Sequence, residues 1–403
     1  MIMADKYAHR KATARIRFTD NNGAPLKDAD VNVKLKNHKF LFGVGAYDFL
    51  PPDEILNGEK APDEETAVYL KKIREWLDLV NYGTMHFYWG GYEHEEGKTN
   101  FEPMMRSAKY YSGKGIKLKG HPLCWHTVCA DWLMKYDNAT ILSKQLDRIN
   151  RDVTAFKGVI DVWDVINEVV IMQVYDRYDN AVTRICKDLG RVRLVKEVFE
   201  AAKAANPDAT LLINDFNLSE SYRILIDGLL NAGVPISAIG IQTHQHQGYM
   251  GKEKLEDILD RFSFFGLPMH FTENTLISGE LMPPEIVDLN DYQPEVWPTT
   301  PEGEERQRKE WREMMEILFD HPLVEAVTGW DFADGAWLGA PSGLVRKDGS
   351  IKPAYSELKK MIKEEWTTDY TVHTDSDGFA EVTGFKGEYE ATSGGNTQKF
   401  TLS

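Results

Sequence analysis

The distribution of apolar and polar positions divides the chain into a long central region and two short flanking segments. In residues 12–36, apolar side chains alternate with polar ones around a DNNG turn, which is typical of antiparallel strands. Residues 370–403 repeat this pattern around SDG and SGGN turns. Neither segment has enough apolar surface for a core of its own. We therefore expect residues 1–39 and 367–403 to meet in one small β-sandwich.

The central region, residues 40–366, alternates short apolar runs with amphipathic helical patterns. The apolar runs occupy residues 40–46, 79–87, 117–126, 159–169, 210–217, 238–244, 268–275 and 326–334. The helical patterns occupy residues 65–80, 101–115, 140–156, 191–205, 219–232, 252–265, 303–319 and 356–366. This alternation predicts an α/β fold, a (β/α)8 or TIM barrel, inserted between the two halves of the sandwich.

Polar residues concentrate where the predicted barrel strands end, and that face carries the chemistry in a TIM barrel. The strand ends, from the third to the eighth, carry His121 with Trp125 and His126; Asn167 and Glu168; Asn214, Asp215, Phe216 and Asn217; Gln242, Thr243 and His244; Thr272, Glu273 and Asn274; and Trp330, Asp331, Asp334 and Trp337. Only the fourth and seventh strand ends offer a glutamate.

The two glutamates indicate glycoside hydrolysis. One carboxyl group must be protonated to serve the leaving oxygen, while the other must be ionised to attack the anomeric carbon. Retaining enzymes hold the two groups about 5–5.5 Å apart. The charge of one carboxylate raises the pKa of the other, which suits Glu168 as the acid. A single glutamate would more often be structural, but a pair among Asn, His, Gln and Trp favours catalysis.

A metal-dependent hydrolase is the alternative for the same barrel. His121, His126, His244 and His246 superficially suit such a site. That class expects a histidine pair at the first strand, and residues 40–46 contain none. No glycine-rich phosphate loop precedes a helix either. We therefore expect no metal and no cofactor.

Charge and hydropathy restrict the partners. The 403 residues carry a net charge of −16, which argues against nucleic acid or an anionic membrane surface and fits a neutral or cationic ligand. No apolar stretch is long enough to span a membrane, and no signal peptide is visible. We expect a monomer that acts on a polysaccharide, and hence an extracellular or periplasmic location.

Six motifs, in order, resemble glycoside hydrolase family 10, the endo-xylanase family. They are GHPLCWHTVCADWL (120–133), WDVINE (163–168), INDFN (213–217), IGIQTHQH (239–246), FTEN (271–274) and TGWDFADGAW (328–337). The resemblance extends over about residues 40–365 and leaves the two terminal β segments outside it.

The resemblance implies a retaining endo-1,4-β-xylanase in which Glu168 is the general acid/base and Glu273 the nucleophile. It assigns to Asn167 the 2-hydroxyl of the sugar being cleaved. The remaining roles that it implies are the 3-hydroxyl of that sugar for His126, positioning of the nucleophile for Gln242 and His244, the wall of the glycone side for Trp132, Trp330 and Trp337, and the leaving-group side for Phe216 and Asn217.

This chain departs from the family where the sugar beyond the cleaved unit is gripped. The Glu, Asn and Lys of the family's ENAMKW stretch fall on Thr84, Met85 and Tyr88, and the Gln after its WHS is Val128. We therefore expect an apolar or phenolic wall there.

A second departure lies beyond Glu273. The family's Asp two residues after the nucleophile is Thr275, which breaks its orienting chain through His244. The following loop, residues 276–302, is long, and loops of this length are more often functional than idle.

Two other functions stay open at this stage. The altered wall suits another β-glycan hydrolase on the same barrel, such as a β-glucanase or an enzyme acting on xylo-oligosaccharides. A non-catalytic glycan-binding protein, with the sandwich as binding module, is disfavoured because both carboxyl groups are present.

Overall fold

The structure is a computed structural model and describes residues 6–403. Its strands are β1 (Lys11–Arg17), β2 (Asp30–His38), β3 (Leu41–Gly45), β4 (Tyr82–His86), β5 (Lys117–His121), β6 (Val162–Asn167), β7 (Thr210–Asp215), β8 (Ala238–Ile241), β9 (His244–Gln245), β10 (Met269–Leu276), β11 (Val324–Gly329), β12 (Asp369–His373), β13 (Phe379–Phe385), β14 (Gly387–Ser393) and β15 (Asn396–Leu402).

The helices alternate with the central strands. They are α1 (Asp53–Leu56), α2 (Glu64–Leu79), α3 (Trp89–Tyr92), α4 (Phe101–Ser112), α5 (Asn138–Phe156), α6 (Val169–Met172), α7 (Ala181–Leu189), α8 (Arg191–Ala205), α9 (Glu220–Asn231), α10 (Lys252–Ser263), α11 (Pro301–Asp320) and α12 (Pro353–Lys360). Short 3-10 or π turns cover Ala8–Arg10, Asp131–Lys135, Leu289–Asp291 and Met361–Glu365. Within residues 6–403, no helix combines the length and the apolar character needed to cross a membrane.

Eight parallel strands close into a barrel, as the alternating pattern predicts. The order is β3, β4, β5, β6, β7, β8, β10 and β11, and β11 pairs with both β10 and β3. One end of the barrel interior is filled by an apolar cluster from six of these strands, consisting of Leu41, Tyr82, Val162, Leu212, Ala238 and Ala326. This packed layer leaves the polar chemistry to the carboxyl ends of the strands.

The two ends of the chain form antiparallel sheets together. β1 pairs with β13 from Lys11 opposite Phe385 to Arg17 opposite Phe379. A second sheet has the order β12-β2-β14-β15 and so places an N-terminal strand between C-terminal ones. The meeting of the two ends is as expected from their alternating pattern, while the division into two domains stays a prediction.

The sequence pattern missed four helices, the single-turn helices α1, α3 and α6 and the longer α7, and the last two lie between β6 and α8. Asn180 caps α7 by accepting a hydrogen bond from the backbone N–H of Thr183 at 2.8 Å. The expected final helix over residues 356–366 begins earlier, at Pro353, and changes to a π turn after Lys360.

Arg10 fastens the terminal sheets to the barrel. Its guanidinium donates to the carbonyl oxygens of Phe319, His321 and Val324 at 2.8, 2.6 and 2.7 Å. The first two carbonyls lie at the C-terminal end of α11, where a cation is favoured, and the third begins β11. Burial lowers the pKa of Arg10 to about 10, which leaves it charged at neutral pH.

We expect Arg10→Ala to lower the free energy of unfolding by about 2 kcal/mol, because it leaves half-buried carbonyl groups without a charged donor. Urea or thermal unfolding measures the change. Arg15→Ala is the matched control, since Arg15 is largely exposed and pairs with Asp375 at 3.0 Å, and it is expected to change stability by less than about 0.5 kcal/mol. Equal effects of the two substitutions would contradict the fastening role.

Candidate active site

Glu168 lies just beyond β6, at a distorted point of the backbone. The pairing of β6 with β7 shifts by one residue between Asp164 and Ile166, which turns the strand end. Glu168 itself has φ 56° and ψ 43°, in the left-handed region that glutamate rarely adopts. The backbone N–H of Val170 donates to the Asp215 carboxylate at 3.0 Å and holds this turn. Such strain is characteristic of functional positions.

Glu273 lies within β10, where a similar irregularity occurs. The pairing of β10 with β11 shifts between Phe271 and Asn274, so that the strand has one extra residue at Glu273. The Asn274 amide donates to the carbonyl oxygens of Phe271 and Thr328 at 3.0 and 2.8 Å and fixes the bulge. The Glu273 side chain is thereby directed into the barrel mouth and is 3% exposed.

A chain of amide hydrogen bonds joins the two carboxyl groups. Asn167 Nδ2 donates to Glu168 Oε1 at 3.2 Å. Asn214 Nδ2 donates both to Asn167 Oδ1 at 2.8 Å and to Glu273 Oε1 at 2.7 Å. Thr272 Oγ1 donates to Asn214 Oδ1 at 2.7 Å, which fixes the orientation of that amide. The acid, the amide beside it and the second carboxylate therefore share one rigid frame.

Gly240 on β8 makes room for this frame. A Cβ atom at Gly240 would lie 2.4 Å from Asn214 Oδ1 and 3.0 Å from Asn214 Cβ. No side chain fits without displacing Asn214, so the glycine allows the amide to bridge the two carboxyl groups.

The two carboxyl groups have opposite pKa shifts. Burial, aided by the nearby charge of Glu273, raises the pKa of Glu168 to about 8. Burial also disfavours the Glu273 carboxylate, but the charge of His121 and the hydrogen bond from His244 outweigh it and lower the Glu273 pKa. At neutral pH one group is a protonated acid and the other an ionised carboxylate, which is the division of roles that glycoside hydrolysis needs.

A buried relay supports the charge of Glu273. Lys119 Nζ and His121 Nδ1 both lie 2.7 Å from Asp164 Oδ2, and His121 Nε2 lies 3.8 Å from Glu273 Oε1. Burial opposes ionisation of Asp164, yet the Lys119 charge and the His121 hydrogen bond lower its pKa. Asp164 thus orients the His121 ring with one nitrogen facing Glu273.

His244 holds the other oxygen of Glu273. His244 Nε2 lies 3.0 Å from Glu273 Oε2. The Thr275 hydroxyl lies 3.5 Å from His244 Nδ1, at the position where the family has an aspartate. The Trp337 ring packs on His244 with a centroid distance of 4.7 Å. Ring packing and a distant hydroxyl therefore orient this histidine where a carboxylate would otherwise do so.

The expected partner of Gln242 is different in the structure. Gln242 Nε2 donates to Asn167 Oδ1 at 2.9 Å, and it acts on Glu168 rather than on Glu273. The sequence analysis expected Gln242 to position Glu273. That expectation is wrong, because the side-chain contacts of Gln242 are with Asn167 and Glu168. Gln242 strengthens the frame beside the acid instead.

The cavity at which a glycone wall is predicted includes an imidazole, which the sequence reasoning missed. Met85 is fully buried, so His86 presents its ring to the mouth and Tyr88 packs beside it at 5.5 Å. His86 Nδ1 lies 2.9 Å from Asp48 Oδ2, and the His86 ring meets Trp330 edge-on at 5.3 Å. The expected wall of apolar and phenolic groups is therefore wrong in this respect.

The remaining predicted residues are distributed around the mouth. His126 Nε2 is 4.0 Å from Glu168 Oε2, and burial lowers the His126 pKa to about 4, so the ring is neutral. Phe216 is 46% exposed, and Asn217 Oδ1 accepts from Ser219. Trp132 packs edge-on against Trp89 at 5.7 Å, and its Nε1 donates to the Glu93 carbonyl, so its polar edge is already engaged.

Lys119 and Asp164 are site residues with a sequence signal that was overlooked. Lys119 and His121 alternate along β5 and hence point the same way, into the barrel. Asp164 stands inside the WDVINE motif. The pairing of His86 with Asp48 had no such signal, because the two residues lie 38 positions apart. Among residues 6–403, no group of three or more His, Cys, Asp or Glu is arranged to hold a metal ion.

The barrel with two carboxyl groups of opposite protonation defines a glycoside hydrolase. The family model for glycosyl hydrolase family 10 matches residues 71–361. This chain belongs to that family, and the resemblance that the six motifs indicated is confirmed.

Relatives and solved structures agree with this assignment. Endo-1,4-beta-xylanase B of Thermotoga neapolitana is 26% identical over 320 residues, which cover 75% of this chain and 85% of the relative. Endo-1,4-beta-xylanase 1 of Arabidopsis thaliana is 22% identical over 94% of this chain, which spans 36% of that relative. Native xylanase 10B from Thermotoga maritima superimposes with a TM-score of 0.62 at 23% identity, covering 81% of this chain and 96% of that one.

We expect Gly240→Ala to lower kcat about 100-fold, because the added methyl group displaces the Asn214 amide from both carboxyl groups. Steady-state kinetics measures the loss. Gly228→Ala is the control, because a Cβ there meets nothing within 4 Å on helix α9. It should keep full activity and gain about 0.5–1 kcal/mol of stability. Unchanged kcat in Gly240→Ala would remove the frame from the mechanism.

The pKa shifts predict the pH dependence of kcat/KM. Glu168 must be protonated, so activity should fall as the pH rises through about 8. Glu273 must be ionised, so activity should persist on the acid side to below the usual pKa of a glutamate. With an aryl glycoside whose leaving group needs no acid, Glu168→Gln should abolish the alkaline decline. A decline that survives the substitution would belong to another group.

Proposed function

We propose that this protein is a retaining endo-1,4-β-xylanase that hydrolyses the β-1,4-xylan backbone by double displacement. The observation that carries the proposal is the frame of Asn167 and Asn214, which holds a neutral Glu168 and an ionised Glu273 in one mouth. The names of the relatives support xylan as the substrate class.

In the first step, Glu273 attacks the anomeric carbon while Glu168 transfers its proton to the glycosidic oxygen. The bond to that oxygen breaks, the shortened chain leaves as an alcohol, and a glycosyl ester forms on Glu273. In the second step, the Glu168 carboxylate takes a proton from water as the water attacks the same carbon. Glu273 is released, and the product keeps the β configuration.

Asn167 is well placed for a hydroxyl group of the cleaved sugar. Its side-chain oxygen accepts hydrogen bonds from Asn214 and Gln242, and one of its two N–H groups donates a hydrogen bond to Glu168. The second N–H is therefore directed by the same frame and serves the 2-hydroxyl. His126, neutral and beside Glu168, serves the 3-hydroxyl as acceptor or donor.

Trp330 and Trp337 form the floor and side of the glycone region. Their rings pack on His86, His121 and His244, and they border a cavity of about 490 Å³. Flat apolar faces suit the axial hydrogens of sugar rings. Phe216 and Asn217 receive the leaving group on the opposite side of the glutamate pair.

A second candidate is another β-glycan hydrolase, and the His86–Asp48 pair favours it. The family grips the second glycone sugar with polar side chains that this chain replaces, and His86 and Asp48 line the cavity there instead. Rates on xylan, mixed-linkage β-glucan and short xylo-oligosaccharides discriminate the two.

We further propose a secreted monomer, since the substrate is a polymer.

Chemical rescue tests the two roles separately. Glu273→Ala should lose activity on aryl xylobioside, and added azide should restore turnover with an α-glycosyl azide as product, because azide attacks from the vacated side. Glu168→Ala with azide should instead yield the β-glycosyl azide from the glycosyl ester. The same anomer from both variants, or full activity without azide, would overturn the assignment.

A further inference from the structure

The loop between β10 and α11 forms a separate folded unit that we call the strap, residues 277–300. Its two ends meet where the Thr300 N–H donates to the Ser278 carbonyl at 2.9 Å. An apolar cluster packs the strap against the loop that follows β11. It is formed by Ile277, Met282, Trp297 and Ala340, with Leu281, Ile286, Leu289, Tyr292 and Leu338 around them, and Leu338 and Ala340 belong to the loop after β11. With closed ends and packed side chains, the strap resembles a long Ω-loop, which is a compact surface element.

The strap extends over the neighbouring strand end. The Met282 N–H donates to the His246 carbonyl at 2.9 Å. Gln247 Nε2 donates to the carbonyl oxygens of Pro283 and Ile286 at 2.9 and 2.8 Å. The strap therefore leaves the seventh barrel strand and lies on the loop after the sixth.

The tip of the strap reaches the loop that follows Glu168. The Arg177 guanidinium, between α6 and α7, pairs through its two terminal nitrogens with Asp288 and Asp291. Asp288 Oδ1 accepts from the Asn290 N–H at 2.9 Å, which leaves Oδ2 directed at Arg177. These residues lie more than 100 positions apart, since Arg177 and Asp288 are separated by 111.

Arg177 is itself attached to the catalytic region. Tyr175 packs on the His126 ring at 4.3 Å, and the Tyr178 hydroxyl donates to the His126 carbonyl at 3.4 Å. His126 lies beside Glu168. The ion pairs therefore connect the loop that follows Glu168 with the loop that follows Glu273.

This connection passes around one side of the barrel mouth. The fifth barrel strand, β7, lies between the fourth and sixth strands, and its exposed Phe216 lies where the proposed function puts the leaving group. A continuous path of protein passes from the fourth strand end through Arg177 and the strap to the sixth and seventh. By contrast, the glycone cavity of about 490 Å³ shares Phe49 with a second cavity of about 820 Å³.

We propose that the strap, held by Arg177, limits the number of sugar units accepted on the leaving-group side, so that the enzyme cleaves xylo-oligosaccharides near their reducing ends in preference to the interior of long chains. The inference rests on the proposed function and deepens it. Arg177, Asp288 and Asp291 are specificity-determining residues that do not touch the reacting atoms.

The test compares cleavage positions and substrate lengths in the full-length protein. From xylohexaose labelled at its reducing end, the wild-type enzyme should release labelled xylose and labelled xylobiose. Arg177→Ala should give longer labelled products and raise the ratio of kcat/KM on soluble xylan to that on xylohexaose about two- to fivefold, which is the scale of an exposed ion pair. Asp288→Asn with Asp291→Asn should do the same, and Arg177→Lys should restore part of the original pattern.

Salt and a distant ion pair provide the controls. Raising NaCl from about 0.1 to about 1 M shortens the screening length from about 10 to about 3 Å, so it should shift the wild type, but not Arg177→Ala, toward the variant pattern. Arg193→Ala removes the exposed pair of Arg193 and Glu197 on α8 and should change nothing.

Three outcomes overturn the inference, and they differ in whether they also contradict the proposed function. Labelled xylotriose as the main wild-type product, or an unchanged pattern in Arg177→Ala, contradicts the strap alone. An inactive wild type on xylan and on all xylo-oligosaccharides contradicts the proposed function and the strap together.

Discussion

The chemistry of the molecule depends on one side-chain amide, that of Asn214. An amide nitrogen has two hydrogens, and here one is donated to Asn167 and the other to Glu273. The oxygen of Asn214 accepts from Thr272, which prevents the amide from turning over. Asn167 is held in turn by the hydrogen bond that it donates to Glu168. The relative position of the two carboxyl groups is therefore set by buried hydrogen bonds, which are strong in a low dielectric and costly to break.

The same burial that strengthens this frame separates the protonation states. Both glutamates lose water, and burial alone would leave both protonated. The pKa of Glu273 is lowered nevertheless, because His121 and His244 face its two oxygens, with Asp164 and Lys119 behind His121. The donors to Glu168 are neutral, namely Trp125, Asn167 and Gln242, and the nearby charge of Glu273 raises the pKa of Glu168 further. The difference between the partners that surround the two carboxyl groups, rather than the glutamates themselves, separates their pKa values.

How much of this the sequence reveals depends on how local each interaction is. Glu168 and Glu273 were predictable because the end of a barrel strand is a local feature of the chain, and the motifs around them are specific. The partner of Gln242 was not predictable, because Asn167 and Glu273 both lie within one side-chain length and rotamers decide between them. His86 with Asp48, and Arg177 with Asp288, join loops that only the closed barrel brings together. Gly240 shows the same limit, since its importance comes from an asparagine on the adjacent strand.

The terminal sheets lie at the far end of the barrel from the catalytic groups. Arg10 reaches the carbonyl of Val324, the first residue of β11, whereas Trp330 follows the last residue of that strand. At about 3.3 Å per residue, these two points are about 20 Å apart. β2 likewise enters β3 at the beginning of that strand. The sheets therefore cannot supply a side chain to the sugar being cleaved. The two carboxyl groups lie at the other end, where the loops after the fourth, sixth and seventh strands are joined.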